Sequence, residues 1–200
     1  MGNIGIIGRA RVGKDTAGKW LVDNRGYRRV ALADPLKEAA LALDPIVAFD
    51  WHDDRACPLS DVRLSEIVAR DGWEVAKERD EVRRILQHLG AAMRAVDPEI
   101  WLRAALAKTQ EANEQGVPVA VTDVRYPNEA ASLRRAGFHL LHISRPDVAQ
   151  LVHESEGALT AEDADYEYDN AGSVEQLHEW MEVFSDEIYR IESARHFARL

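Results

Sequence analysis

The stretch Ile4-Gly5-Ile6-Ile7-Gly8-Arg9-Ala10-Arg11-Val12-Gly13-Lys14-Asp15-Thr16 decides how this chain is read. An apolar, β-branched run stops at Gly8, and a helical pattern begins at Gly13 and continues to about Asn24. Between them Gly8, Gly13 and Lys14 fit the G-x-x-x-x-G-K spacing of a phosphate-binding loop (P-loop), in the strand-to-helix setting that motif requires. Glycines admit positive φ and let anionic oxygens come close to the backbone. Consecutive amide protons then converge on one point, and the helix N-terminus adds about half a unit of positive charge. Lys14 supplies a mobile cation for the far phosphates of a nucleotide. The rival reading is a glycine turn that merely opens a helix.

One position departs from the usual loop. Asp15 follows Lys14 where a Ser or Thr normally ligates magnesium, and Thr16 is displaced by one residue, within reach of an α-phosphate oxygen. Asp15 is therefore a candidate magnesium ligand, directly or through water. Arg9 and Arg11 are either solvated or make this loop basic within an acidic protein.

Working outward, a second strand at residues 28–32 leads to a helix opened by Asp34-Pro35, since proline fits a first helical turn. Residues 44–58 read as irregular. Helical periodicity runs from Ser60 to Gln115, broken near Gly72 and at Asp97-Pro98. A strand at 117–122 is the clearest buried strand. It is followed by a helix at 128–136, a strand at 138–144, a short strand at 166–169 and a last helix from about Ser173. Strands separated by helical crossovers predict an α/β fold: a parallel sheet with helices on both faces. Ligands then bind at the carboxyl ends of the strands. Gly8, Asp34 and Asp123 all fall at such ends.

At 200 residues the chain suits one domain. The formal net charge of −10 argues against broad binding of nucleic acid or anionic membranes. Cys57 is the only cysteine, which fits a reducing cytoplasm and excludes an intramolecular disulfide. Residues 3–7 are too short and uncharged for a signal peptide, and Ile6 stands where a myristoylation signal needs Ser or Thr. No run approaches the ~20 apolar residues of a membrane span. The expectation is a soluble protein.

Asp123 closes the apolar run Val119-Ala120-Val121-Thr122, the pattern of a magnesium-orienting acid beside a phosphate loop. Arg125, two residues on, suits bidentate binding of phosphate. The competing reading is a turn carboxylate paired with Arg125. Asp34 would face the same crevice and position or deprotonate an acceptor; it is equally a candidate N-cap of the Pro35 helix, and the two roles can coexist. The helical block carries Arg79, Arg83, Arg84, Gln87, Arg94 and Arg103. Most arginines on helices solvate an outer face, but Gln87 and Arg94 are seven apart and share one. His139 and His142 face opposite sides of a strand and cannot share a metal. His153-Glu154 lacks the second histidine of a zinc-protease helix. Trp20, Trp73, Trp101 and Trp180 read as core anchors.

Together these residues resemble the phage-type deoxynucleoside monophosphate kinases, within the wider nucleoside monophosphate kinase group. The resemblance runs through Gly13-Lys14-Asp15-Thr16, Ala33-Asp34-Pro35-Leu36-Lys37, Gly72-Trp73-Glu74-Val75-Ala76-Lys77 and Arg84-Ile85-Leu86-Gln87-His88-Leu89-Gly90. It continues through Arg94, Trp101, the segment from Thr122 to Glu129, Arg145-Pro146, Ser155-Glu156 and Asn170-Ala171-Gly172-Ser173. It makes Asp15 a family trait rather than a departure. It implies a three-layer P-loop fold on a five-stranded parallel sheet. Residues 1–200 would form one kinase domain, with 44–115 a helical acceptor-binding insertion and 145–165 a lid. It implies ATP with magnesium as donor and a deoxynucleoside monophosphate as acceptor, in the cytoplasm (the host's, if phage-encoded), with homodimerisation left open.

By this resemblance ATP lies on Gly8, Arg11, Gly13, Lys14, Asp15 and Thr16. Magnesium lies at Asp15 and Asp123, and the acceptor at Asp34, Lys37, Gln87, Arg94 and Arg125. Lys14, Asp34, Arg125 and Arg145 carry the transfer. Two stretches differ from the family pattern: Ala91-Ala92 replaces an expected Thr-Glu, and the residues after Arg145 are unlike a nucleotide-kinase lid. A related small-metabolite kinase, of the dephospho-coenzyme A or phosphomevalonate type, fits the loop and Asp34 nearly as well. A nucleotide-binding switch without phosphotransfer is the reading from another class.

Overall fold

The computed structural model describes residues 2–51, 59–146, 148 and 159–198. Its elements, in chain order, begin with β1 (Ile4–Ile7), α1 (Lys14–Arg25), β2 (Arg28–Val30), α2 (Asp34–Leu43), β3 (Ile46–Trp51), β4 (Leu59–Arg63) and α3 (Leu64–Ala76). There follow α4 (Asp80–Val96), α5 (Ile100–Glu114), β5 (Val119–Val124), α6 (Pro127–Arg135), β6 (His139–Ser144), β7 (Tyr166–Asp169) and α7 (Val174–Phe197). A short 3-10 turn, Ala161–Asp163, precedes β7. The chain forms two compact units, Met1–Leu32 with Ala105–Leu200, and Ala33–Ala104.

The first unit is built on a five-stranded sheet in the order β2-β5-β1-β6-β7, with every pairing parallel. Parallel strands covered on both faces need unbroken apolar runs rather than alternation, and β1 is buried at all four positions. On one face, Ile4, Ile6, Ala120, Leu141 and Ile143 pack against Ala17 and Leu21 of α1 and Leu177, Met181, Phe184 and Ile188 of α7. Trp20 and Trp180 pack half-buried on this cluster, and Trp180 stacks on Tyr168 at 4.6 Å and on Phe184 at 5.0 Å between ring centres. Helix α6 packs on β6, with Leu133 fully buried. The result is the three-layer α/β fold expected. Parallel order brings the ends of β1, β5, β6 and β7 to one edge.

Strand β2 stops at Val30, two residues earlier than the sequence suggests. The amide of Leu32 leaves the ladder and donates instead to Asp123 Oδ1 at 2.8 Å.

The second unit has its own core of Ala40, Val47, Val62, Leu64, Ile67, Ala76 and Val82. Here two expectations fail. Residues 44–58 are not irregular throughout, and helix does not begin at Ser60: β3 and β4 pair antiparallel, with Ala48 opposite Val62 and Phe49 opposite Asp61. The polar Ser60-Asp61 reads as a helix start only until Val62, buried beside Val47, is seen to anchor a strand. The break at Gly72 is present (φ 78°, ψ 168°), as is the one at residues 97–98, and a third separates α3 from α4. This unit also takes in α2 and the start of α5. Cys57, His153 to Glu156 and most of the expected lid lie outside the described residues. Among the described residues no helix is long and apolar enough to cross a membrane.

Candidate functional site

The loop between β1 and α1 has the geometry a phosphate requires. Gly8 has φ 144° and Gly13 φ 108°, values that side chains resist, and Arg11 at φ 65° is left-handed as well. Neither glycine has room for a methyl group: a Cβ on Gly8 would collide with the carbonyl oxygen of Ile143, and one on Gly13 would sit 2.6 Å from Asn170 Nδ2. Helix α1 starts on Gly13, which has no side chain of its own to cap the first turn. The Lys14 ammonium lies folded over its own loop, donating to the Gly8 carbonyl at 2.6 Å and to that of Arg9.

A pocket of about 600 Å³ opens over this loop. Arg11, Gly13, Lys14, Asp15, Thr16, Asp123, Arg125 and Arg145 line it, so eight of the expected site residues meet in one place. Four are cations, a local positive excess in a chain of net charge −10. Parallel strand order is what assembles them: Asp123 and Arg125 come from the end of β5, Arg145 from the end of β6. Arg125 is held by its own backbone, since Glu129, itself buried, accepts from the amides of Arg125 and Tyr126 at 2.8 and 3.1 Å. Nearby, burial holds the pKa of His142 below its ordinary value; Arg9 and Lys14 push the same way and Glu167 opposes.

The residues suit magnesium. Among the described residues no three His, Cys, Asp or Glu side chains converge on one point. Magnesium needs no such cage, because it takes one or two carboxylates and fills its sphere with phosphate oxygens and water. Asp15, exposed, and Asp123, half-buried at the strand end, are the carboxylates available in the pocket.

Asp34, Lys37, Gln87 and Arg94 belong to the second unit. Asp34 is the first residue of α2; Ala33 holds the cap position and no side chain caps the helix, so the N-cap reading of Asp34 is not what is found. Lys37 reaches Asp34 at 3.4 Å and lies over the Trp73 ring, 5.8 Å from its centre. On α4, Gly90 falls on the same stripe as Gln87 and Arg94, and a Cβ there would lie 3.2 Å from Leu36 Cδ2. That close approach sets α2, with Asp34 and Lys37, beside the helix face bearing Gln87 and Arg94. Other arginines behave as solvated ones do: Arg84 pairs with Glu81 at 2.6 Å, and Arg103 with Asp97.

Two pocket residues had no role in the sequence reading. Thr122 and Asn170 are 2% and 3% exposed, yet the Thr122 hydroxyl and the Asn170 carbonyl oxygen have no hydrogen-bond partner. Only the place of Asn170 in the Asn170-Ala171-Gly172-Ser173 segment marked it beforehand. A larger cavity, about 980 Å³, lies among Gly2, Tyr27 and Pro118, at the amino ends of the strands. It has no part in the phosphate loop.

A family model described as "Deoxynucleotide monophosphate kinase" matches residues 59–181, more than half of the chain. The phosphate loop lies outside that match and is a separate line of observation. A protein of Acanthamoeba polyphaga mimivirus, named "Putative deoxynucleotide monophosphate kinase", is 29% identical over 166 residues, which span 78% of this chain and 81% of that one. Among solved structures, dephospho-CoA kinase from Campylobacter jejuni superposes with a TM-score of 0.51 over 96% of this chain and 100% of its own, at 15% identity. At that identity the likeness is one of fold.

Proposed function

The chain belongs to the deoxynucleotide monophosphate kinase family, and from that premise we propose that loop 8–16 grips the triphosphate of ATP while Arg125 and Arg145 hold the phosphates between which transfer occurs. The reaction moves the γ-phosphoryl group of ATP onto a deoxynucleoside monophosphate. The bond from Pγ to the β,γ-bridging oxygen breaks, one from Pγ to an acceptor phosphate oxygen forms, and ADP departs with the bridging oxygen. An acceptor phosphate is already largely ionised near neutral pH, its second pKa being about 6. Asp34 therefore acts by positioning rather than by removing a proton.

The positive-φ glycine loop that opens α1, facing Arg125 and Arg145 across one pocket, carries the phosphate reading. Its amides and the converging loop supply donors at fixed positions, so no reorganisation is needed as charge shifts in the transition state. Lys14 exchanges the Gly8 and Arg9 carbonyls for phosphate oxygens, a far stronger partner for an ammonium. Arg125, pinned by Glu129, presents a guanidinium to the transferring group. Asp34, Lys37, Gln87 and Arg94 read the acceptor. Magnesium at Asp15 and Asp123 would neutralise charge on the β- and γ-phosphates.

Release of ADP from ATP and magnesium, followed with a panel of deoxynucleoside and ribonucleoside monophosphates and dephospho-coenzyme A, tests the reading. A deoxynucleoside monophosphate is expected to stimulate release most strongly. Stimulation by dephospho-coenzyme A alone, or slow hydrolysis indifferent to every acceptor, overturns it.

A further inference from the structure

Asn170 stands at the end of β7, and its backbone amide donates to the Ser144 carbonyl at 2.8 Å. Just beyond it, Ser173 begins α7 with reciprocal bonds to Gln176, at 2.9 and 3.3 Å. The segment is thus tied at both ends. From it the Asn170 side chain reaches across 158 positions of sequence, and its Nδ2 donates to the Val12 carbonyl at 2.8 Å. Only the nitrogen of that amide can face a carbonyl oxygen, so its orientation follows from the chemistry.

The Val12 carbonyl and the Gly13 N–H belong to one planar trans peptide and point in opposite directions. Pinning the carbonyl fixes the amide. A phosphate-binding loop works only if its carbonyls are turned away and its amides inward, and an unpinned Val12–Gly13 peptide is free to turn the wrong way. The unpartnered Oδ1 of Asn170 shows that the contact is kept although half of the side-chain amide goes unsatisfied. Gly13 is also shaped around it, since a Cβ there would strike Nδ2.

We propose that Asn170 is a positioning residue for the donor nucleotide: it holds the Val12–Gly13 peptide so that the loop amides face the phosphates. This rests on loop 8–16 being the ATP site. The test compares Asn170→Asp, isosteric but with an acceptor where the donor was, and Asn170→Ala. Both are measured for KM of ATP, KM of the deoxynucleoside monophosphate, ADP affinity by calorimetry and thermal midpoint without nucleotide. The expected result is an ADP affinity about tenfold weaker in Asn170→Ala, and weaker still in Asn170→Asp, as loss of one buried hydrogen bond near 1.4 kcal/mol requires. ATP KM rises in parallel, while acceptor KM stays near wild type and the thermal midpoint falls by no more than the few degrees one hydrogen bond is worth. Unchanged ADP affinity in either variant overturns the inference and leaves the ATP site standing. So does an equal rise in both KM values with a fallen midpoint, the mark of a merely structural residue. Wild-type protein that binds no ADP refutes the site and the inference together.

Discussion

Gly13→Ala is the substitution whose consequence follows most directly from the loop. At φ 108° an alanine suffers strain of roughly 1–2 kcal/mol from its Cβ alone. The same Cβ would lie 2.6 Å from Asn170 Nδ2 and push the side-chain amide off the Val12 carbonyl, forfeiting a hydrogen bond of about 1 kcal/mol. The sum is roughly 2–3 kcal/mol. For a chain of this length each kcal/mol shifts the thermal midpoint by about 2–4 °C, so the fall is on the order of 10 °C.

Gly26 is the internal control. It also has positive φ, 67°, but nothing lies within 4 Å of its missing Cβ. Gly26→Ala therefore bears only backbone strain, about 1 kcal/mol, with ATP KM untouched. Thermal unfolding followed by circular dichroism without nucleotide, together with initial rates against ATP concentration, separates the two. Gly13→Ala should unfold well below Gly26→Ala and need far more ATP; in the double variant Gly13→Ala, Asn170→Ala the losses should be less than additive, because both lose the same hydrogen bond and removing the Asn170 amide relieves the collision. Equal midpoints and equal ATP KM in the two glycine variants would refute the reasoning.

Lys14→Ala removes the ammonium folded over the loop and should lower kcat at least about a hundredfold, with a thermal midpoint within a few degrees of wild type. Turnover at the wild-type rate would show that the lysine plays no part. Gln87→Ala and Arg94→Ala should each raise acceptor KM about tenfold and leave ATP KM alone, the split expected of residues that read the acceptor only. Tyr27, whose hydroxyl donates to the Gly2 carbonyl at 2.8 Å, has its pKa pushed up to about 12, chiefly by burial. Its raised folded value means that stability is fully present below pH 10 and is lost as pH climbs towards 12. Denaturant midpoints measured across that range should fall more steeply in the wild type than in Tyr27→Phe.

Much of the catalytic half was legible because its signals are local. A glycine at Gly13 states a backbone conformation in one residue, and Lys14 follows it directly. The apolar run of β5 and the start of α7 near Ser173 are equally self-contained, and Gly72 and Asp97-Pro98 mark breaks without reference to the rest of the chain. The β3–β4 hairpin was not legible, because Ser60-Asp61-Val62-Arg63 becomes a strand only when Phe49, Ala48 and Ile46 lie opposite to pair with it. Asp34 looked like a cap from its neighbour Pro35, yet it is already the first helical residue and the cap position falls on Ala33.

By itself, then, the sequence determined that a phosphate-binding turn joins the first strand to the first helix, since the conformational freedom this turn demands is written into two glycines. Tertiary structure alone decided what holds that turn and what faces it. The Val12 carbonyl is secured by Asn170 from 158 positions away, and Asp123 is met by the Leu32 amide from 91 positions away. Such partners are chosen by the order of strands in the sheet, which brings distant carboxyl ends to one edge. No local pattern records it.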